Sequence, residues 1–332
     1  MSRRLRMCRT LSVLLWTVML LLAACREQGI QTLPTPLPTL TPTPLSTPLP
    51  AIPTAIPPGD PGNPVQLLVV PPAPVNQSAV ADAQAAIEAE SGLEVEVQPV
   101  ERYAEALAAL CGSAGGRVAA AWLNAPAYMA ARAQACGQPA LQVQQGRGAE
   151  ARTGQAVEII VTRGTVSTVS ALAGRSFCRL SRQDFWSWLA PSLMMRASGV
   201  DPVYGLRAIT DYDNQLDLIK AVADGDCAAT GIPAGALDEL ADDLGNAAQE
   251  VRVIATSVEF PFAVLMIPPE LPLGKRTTLV AGLRAAAANS GTAVLLRPLL
   301  GQTSLVPVAA DDFADLEAFM ARTGLDFAQL GN

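Results

Sequence analysis

The residues able to carry chemistry are informative first for the type that is missing. The 332-residue chain contains no histidine, which removes acid–base and nucleophilic schemes that route a proton through imidazole. It also removes the usual companion ligand of a zinc site. Of the six cysteines, Cys8 and Cys25 fall in an N-terminal segment, leaving Cys111, Cys136, Cys178 and Cys227. Their spacing is unlike paired CxxC knuckles, and an even number of thiols in an exported chain reads as disulfides. Three connectivities are open. Pairing Cys111 with Cys136 and Cys178 with Cys227 is favoured, because each bridge then lies within one predicted lobe on neighbouring elements. No Gly-rich phosphate loop and no partnered carboxylate pair is present, so neither an enzyme nor a cofactor or metal site is expected.

The elements that must position any site begin at Val65. Val65 to Val70 reads as a buried strand running into Pro71-Pro72-Ala73-Pro74, followed by a helix over Ser78 to Glu90. The alternation Leu93 to Val97 predicts a strand and Arg102 to Leu110 a helix. Val118 to Leu123 predicts a strand broken by Asn124-Ala125-Pro126, and Ala127 to Ala135 a helix. After Leu141 to Gln144, the β-rich Ala156 to Thr162 leads to a second unit. It has strands at Arg175 to Leu180, Leu206 to Ile209 and Cys227 to Gly231, with helices at Arg182 to Ser198 and Asn214 to Ala223. Val251 to Thr256 brings the chain back to a strand at Ala263 to Ile267. Helices follow at Lys275 to Ala288, Ala293 to Leu300 and Asp311 to Thr323. Strands alternating with helices predict an α/β fold of two lobes, each a mainly parallel sheet flanked by helices. Residues 65–162 and 254–332 form lobe 1, and 163–253 lobe 2. Ligand is expected in the cleft between them, outside the carboxyl ends of the strands. Candidate contacts by that rule are Asn124 and Tyr128, Asp213 and Asn214, and Phe260 at the return crossing.

The N-terminus places these lobes outside the cytoplasm. Arg3, Arg4, Arg6 and Arg9 precede an apolar run from Leu11 to Ala24, the pattern of a secretory signal peptide. It is too short for a comfortable permanent span, which needs about 20 apolar residues. The run ends in Leu22-Ala23-Ala24-Cys25, which resembles a bacterial lipoprotein signal and implies cleavage before Cys25 and a lipid on its sulfur. From Cys25 to Pro64 the chain is rich in Pro and Thr, which predicts a solvated polyproline-like spacer. Without residues 1–24 the chain has 19 basic and 30 acidic residues, a net charge of −11. That balance argues against nucleic acid as a partner, and a monomer is expected.

Four segments, in their order and spacing, carry a family resemblance over most of residues 65–330. They are Ala119-Ala120-Ala121-Trp122-Leu123-Asn124-Ala125-Pro126-Ala127-Tyr128, Leu172-Ala173-Gly174-Arg175-Ser176-Phe177-Cys178, Pro191-Ser192-Leu193-Met194 ahead of Gly199-Val200-Asp201, and Ala221-Val222-Ala223-Asp224-Gly225-Asp226-Cys227. Together they resemble the phosphate/phosphite/phosphonate-binding branch of type 2 periplasmic binding proteins. The resemblance implies a small-molecule ligand, a ligand-contacting tyrosine at Tyr128, and an ABC permease and ATPase that receive the ligand. A sensory or structural lipoprotein that keeps the fold without feeding a transporter is the alternative.

One departure bears on the ligand. Where the family carries Ser-Thr-Ser-Gly after the Cys178 strand, this chain reads Arg182-Gln183-Asp184-Phe185-Trp186-Ser187, and the family's His-Asp pair is replaced by Gln215-Leu216. Ser181 to Asp184 has the form of a capping box that would occupy the free amides of the helix start. An Asp184 facing the cleft would repel a phosphonate. With Asp213 it would instead hold an amine or hydroxyl-rich ligand, with Tyr128, Trp186 or Phe260 stacking on it and Ser187 nearby.

Overall fold

The computed structural model describes residues 55–329 apart from 115, 147, 302 and 303. The expected signal peptide, the lipidation site Cys25 and the spacer as far as residue 54 lie outside the described residues.

Strand β1 (Val65–Val69) leads to α1 (Gln77–Ser91), β2 (Val95–Pro99), α2 (Tyr103–Cys111), β3 (Val118–Leu123), α3 (Ala125–Ala133) and β4 (Gln138–Gln144). Short strand β5 (Gly154–Gln155) precedes β6 (Val157–Thr162) and β7 (Ser176–Arg179). A π-helical turn at Phe185–Leu189 then runs directly into α4 (Ala190–Ala197). Next come β8 (Ala208–Asp211), α5 (Gln215–Ala223), β9 (Ala229–Pro233), β10 (Val251–Thr256), β11 (Phe260–Pro261) and β12 (Val264–Ile267). The chain finishes with α6 (Leu273–Ala288), α7 (Ser290–Leu300), β13 (Ser304–Pro307) and α8 (Ala314–Arg322).

Local sequence accounts for the main boundaries. All of β3, Val-Ala-Ala-Ala-Trp-Leu, is buried, as a strand covered on both faces requires. Asn124 stops it and caps α3, its Oδ1 accepting from Ala127 N at 3.1 Å, with Pro126 in the first turn, where its missing N–H costs nothing. Asn76 and Asn214 cap α1 and α5 in the same way. Among the described residues no single helix is long and apolar enough to cross a membrane.

Two sheets carry the lobes, one of six strands ordered β13-β4-β12-β3-β1-β2 and one of five ordered β10-β6-β9-β7-β8. Both are mixed, which corrects the mainly parallel expectation. The β2-β1-β3 and β8-β7-β9 portions are parallel, but β12, β4 and β13, and likewise β6 and β10, pair antiparallel. In the six-stranded sheet the returning β12 runs against its neighbours, and in the five-stranded sheet the entering β6 does.

The lobe boundaries move with the pairing. β6 and the whole of β10 belong to the five-stranded sheet, so the crossings lie earlier and later than residues 163 and 253. They are β5 and β11, which pair antiparallel with each other, Phe260 opposite Gln155. Ser257 and Val157 exchange bonds of 2.8 Å beside them. The folded part also begins before Val65. Asp60 forms an ion pair with Lys275 of α6, and Glu94 N donates to the Gly59 carbonyl at 3.0 Å.

The bridges Cys111–Cys136 and Cys178–Cys227 have Cα separations of 4.7 and 5.9 Å, the favoured connectivity. One ties the end of α2 to the segment after α3, and the other ties β7 to the entry of β9. A continuous apolar core joins the lobes, including Leu123 and Tyr128 of lobe 1, Phe177 and Met195 of lobe 2, and Phe260, Phe319 and Met320.

Candidate functional site

Four strand ends and the crossing strand β11 converge on one cavity of about 500 Å³. Lobe 1 contributes Val70 after β1, Glu101, Arg102 and Tyr103 after β2, and Asn124 after β3. Lobe 2 contributes Arg182 and Gln183 after β7, then Phe185, Trp186 and Leu189 from the π-helical turn. Pro261 and Phe262 of the crossing segment complete it. Lining from both lobes at the carboxyl ends of parallel strands is the position that an open α/β sheet leaves for a ligand.

The π-helical turn decides which lobe 2 side chains reach the cavity. Its wider winding closes i→i+5 bonds, Leu189 N to Asp184 O at 3.0 Å among them, and such turns recur at functional sites. Phe185, Trp186 and Leu189 face the cavity, while Ser187 and Trp188 are buried behind it. Ser187 is fixed by Leu180 N, which donates to its Oγ at 2.9 Å. Behind the turn, the buried Arg179 guanidinium lies 4.5 Å from the Trp188 ring centroid and bonds Asp211 at 2.7 Å.

Asp184 is turned away from the cavity. Its Oδ1 accepts from Ser187 N at 2.6 Å and from Ser187 Oγ at 2.5 Å, so the carboxylate caps the turn. Ser181 Oγ in turn accepts from Gln183 N at 3.3 Å and Asp184 N at 3.1 Å. The capping expectation therefore holds in kind, with Asp184 itself as the cap. Arg182, two residues earlier, is exposed on the cavity wall and has no ion-pair or hydrogen-bond partner among the described residues.

On the facing lobe, Arg102 is held by Glu105 through Nε at 2.7 Å and a second guanidinium nitrogen at 2.6 Å. That guanidinium draws the Glu105 carboxyl below its ordinary range. Arg102 stands at the N-cap of α2 without giving a side-chain cap, and the Glu105 carboxylate instead accepts from the backbone N–H groups of Glu101 and Arg102. Asn124 uses its oxygen for the α3 cap and keeps its amide N–H groups free. With Arg102 neutralised by Glu105, the charges left on the wall are the unpaired Arg182 of one lobe and Glu101 of the other.

Of the residues proposed from sequence, Asn124 and Trp186 line this cavity, and Asp184 and Ser187 support it from behind. Phe260 is fully buried on β11, its ring 5.2 Å from Phe185 and 5.8 Å from Phe319, so it backs the wall from behind Phe185. Tyr128 is also fully buried. Its ring lies 4.5 Å from Phe313 and its hydroxyl donates to Glu317 at 3.1 Å, because α8 covers the face of α3 that the strand-end rule assigned to the cleft. Asp213 and Asn214 are exposed at the start of α5 and do not line the cavity. The sequence reading missed Glu101, Arg102, Tyr103, Arg182, Gln183, Phe185 and Phe262. The strand-end rule would have found the first three after β2, had it been applied there. Among the described residues no group of three His, Cys, Asp or Glu side chains is arranged to hold a metal.

Two α/β lobes, joined by a pair of crossing strands and lining a common cavity, define the class of extracytoplasmic solute-binding proteins. More particularly, the chain belongs to the family of periplasmic substrate-binding proteins of ABC phosphonate transporters, whose model matches residues 72–313. That family consists of transporter components, not enzymes, and works with a small-molecule ligand and an ABC permease and ATPase outside the cytoplasm. XAC2383 from Xanthomonas citri, solved with chloride and with ATP, is similar in fold. The two structures give TM-scores of 0.57 and 0.56 at 15% and 14% identity, each covering 78% of this chain and 97% and 96% of the other. A binding protein component of an ABC phosphonate transporter from Pseudomonas aeruginosa is 17% identical over 78% of this chain and 87% of its own, with a TM-score of 0.48. No curated protein matches the sequence.

Proposed function

We propose that this substrate-binding protein captures a small oxyanion of the phosphonate class in the interlobe cavity, with Arg182 as the principal charge partner. The observation that carries the reading is the reversal at the turn after β7, where Asp184 is consumed as a cap and the unpaired Arg182 faces the cavity. Arginine presents a planar fork of donors suited to oxyanions. The Asn124 amide adds a neutral donor from the other lobe. The amine-binding expectation for Asp184 and Asp213 loses its support, since neither carboxylate lines the cavity.

Calorimetry with methylphosphonate, phosphate and a matched alkylamine tests this. Arg182→Gln should weaken phosphonate binding about tenfold or more, the loss of one charge-assisted contact, with Arg182→Lys intermediate. Binding of the amine in preference to both anions would sink the proposal.

Lipid tethering at Cys25, a monomeric state and the absence of catalysis belong to the same reading. The Leu22-Ala23-Ala24-Cys25 sequence supports the tether. Cys25→Ser should abolish metabolic labelling by a radioactive fatty acid and release the protein from the membrane fraction.

A further inference from the structure

Beside the cavity lies a second chamber of about 220 Å³, bounded by Pro72, Trp122, Val143, Leu299 and Leu300. It shares Val70, Tyr103 and Phe262 with the cavity as a common wall. Its side chains are mostly apolar, contributed by β3, β4 and α7, with Gln145 and Tyr103 as the polar ones. Trp122, Val143 and Leu299 are buried at 2%, 1% and 3% exposure. The shared wall is of a different kind. Tyr103 and Phe262 are only half-buried, and the Tyr103 hydroxyl has no hydrogen-bond partner among the described residues.

We infer that the chamber receives an apolar arm of the ligand, so that the preferred solute is an oxyanion bearing an aryl or comparably bulky hydrocarbon group. The inference rests on the oxyanion reading above. Three observations select this occupant. First, the chamber adjoins the charged cavity, with Val70, Tyr103 and Phe262 lining both. Second, the size fits, since an apolar protein cavity of about 150 Å³ is enough to hold benzene. Third, the shared residues are amphipathic, with the Tyr103 and Phe262 rings to flank an aromatic arm and the Tyr103 hydroxyl to meet the polar end. Burial pushes the Tyr103 phenol above its ordinary range, so it stays a neutral donor and adds no charge to repel the anion.

Calorimetry of the purified protein with methylphosphonate and phenylphosphonate tests the inference. The two probes share the head group and differ only in the arm. The phenyl probe should bind about tenfold or more tightly, the gain expected from burying a ring of that size. Leu300→Trp fills the chamber from α7 and should bring the two affinities to within about twofold of each other. Leu300→Phe, with less added volume, serves if the larger variant does not fold. Equal affinities, or a preference for the methyl probe, would overturn the apolar arm and leave the oxyanion reading standing. A phenyl preference that persists undiminished in the filled variant would also overturn it, because the ring would then lie elsewhere. Binding of neither probe would overturn both readings together.

Discussion

Tyr128 holds its hydroxyl where losing a proton is unfavourable. Burial raises its pKa most, the Glu317 carboxylate beside it adds to the effect, and Arg132 only partly opposes them. The hydroxyl is thus a donor to Glu317, which Arg132 also meets at 3.3 Å. Because the folded-state pKa lies above the unfolded value of about 10, this contribution to stability is intact below that value and is lost as pH rises through the folded one. Chemical denaturation at neutral pH should show Tyr128→Phe less stable by about 0.5–1.5 kcal/mol, with ligand affinity unchanged. Above pH of about 10 the gap between wild type and variant should narrow. A variant that loses ligand affinity at full stability would instead make Tyr128 a ligand residue, as the family resemblance implies. At this scale the sequence was legible where a side chain acts on its own neighbourhood. The favoured cysteine pairs form, and the capping pattern from Ser181 to Asp184 holds with Asp184 as the cap, whereas Asn124 reads as a strand break rather than a cap. Tyr128 was not legible, because its surroundings are set by Glu317 and Phe313, which lie 189 and 185 residues away in sequence.

The element that governs the cleft wall is the π-helical turn with α4, and it is seated on β9 through Gly231. A Cβ at Gly231 would come within 2.1 Å of Pro191 Cγ and 2.6 Å of the Trp186 carbonyl oxygen. No side chain fits there without pushing the turn off the sheet. Gly231→Ala should therefore cost about 1–3 kcal/mol in a denaturant titration. It should also weaken phosphonate binding, because Phe185 and Trp186 move with the turn. Unchanged affinity in a destabilised variant would show that the turn does not position the cavity wall. Most elements were readable from periodicity, including the alternating strands and helices from β1 to β4 and from β7 to β9. The exceptions share a cause. Arg182 to Ser198 reads as one helix, but Asp184 caps a π-helical turn that starts later, and that turn sits close against Gly231 of a strand distant in sequence. Strands β5 and β11 are two residues long, too short for any period to register. Strand direction is likewise a tertiary fact, and β12 reads the same whether it pairs parallel or antiparallel.

At the scale of the whole molecule, ligand capture requires the lobes to approach, and the crossing strands are where the backbone must yield. The predicted boundaries at 162 and 254 put the crossing beyond β6, inside what proves to be the second sheet. The hydrophobic run Val-Glu-Ile-Ile-Val-Thr marks a strand but cannot say in which sheet it lies. With the crossing at β5 and β11, Phe260 becomes a link between hinge and site, since it touches Phe185 of the cavity wall on one side and Phe319 of α8 on the other. Ligand packed on Phe185 and Trp186 therefore bears on the hinge through one buried ring. Closure of this kind is the common response of two-lobed binding proteins, and small-angle scattering should show a smaller radius of gyration at saturating phosphonate than without it. Gly154 supplies the control. A Cβ there would meet the Phe260 carbonyl oxygen at 2.7 Å, so Gly154→Ala should part β5 from β11 without altering Arg182, Asn124 or Trp186. If that lowers the population able to close, apparent affinity falls by the same factor, about tenfold for a shift of about 1.4 kcal/mol. The compaction seen by scattering should need correspondingly more ligand. Scattering curves that superimpose with and without bound phosphonate would refute hinge closure, and an affinity untouched by Gly154→Ala would refute the assignment of the hinge to these strands.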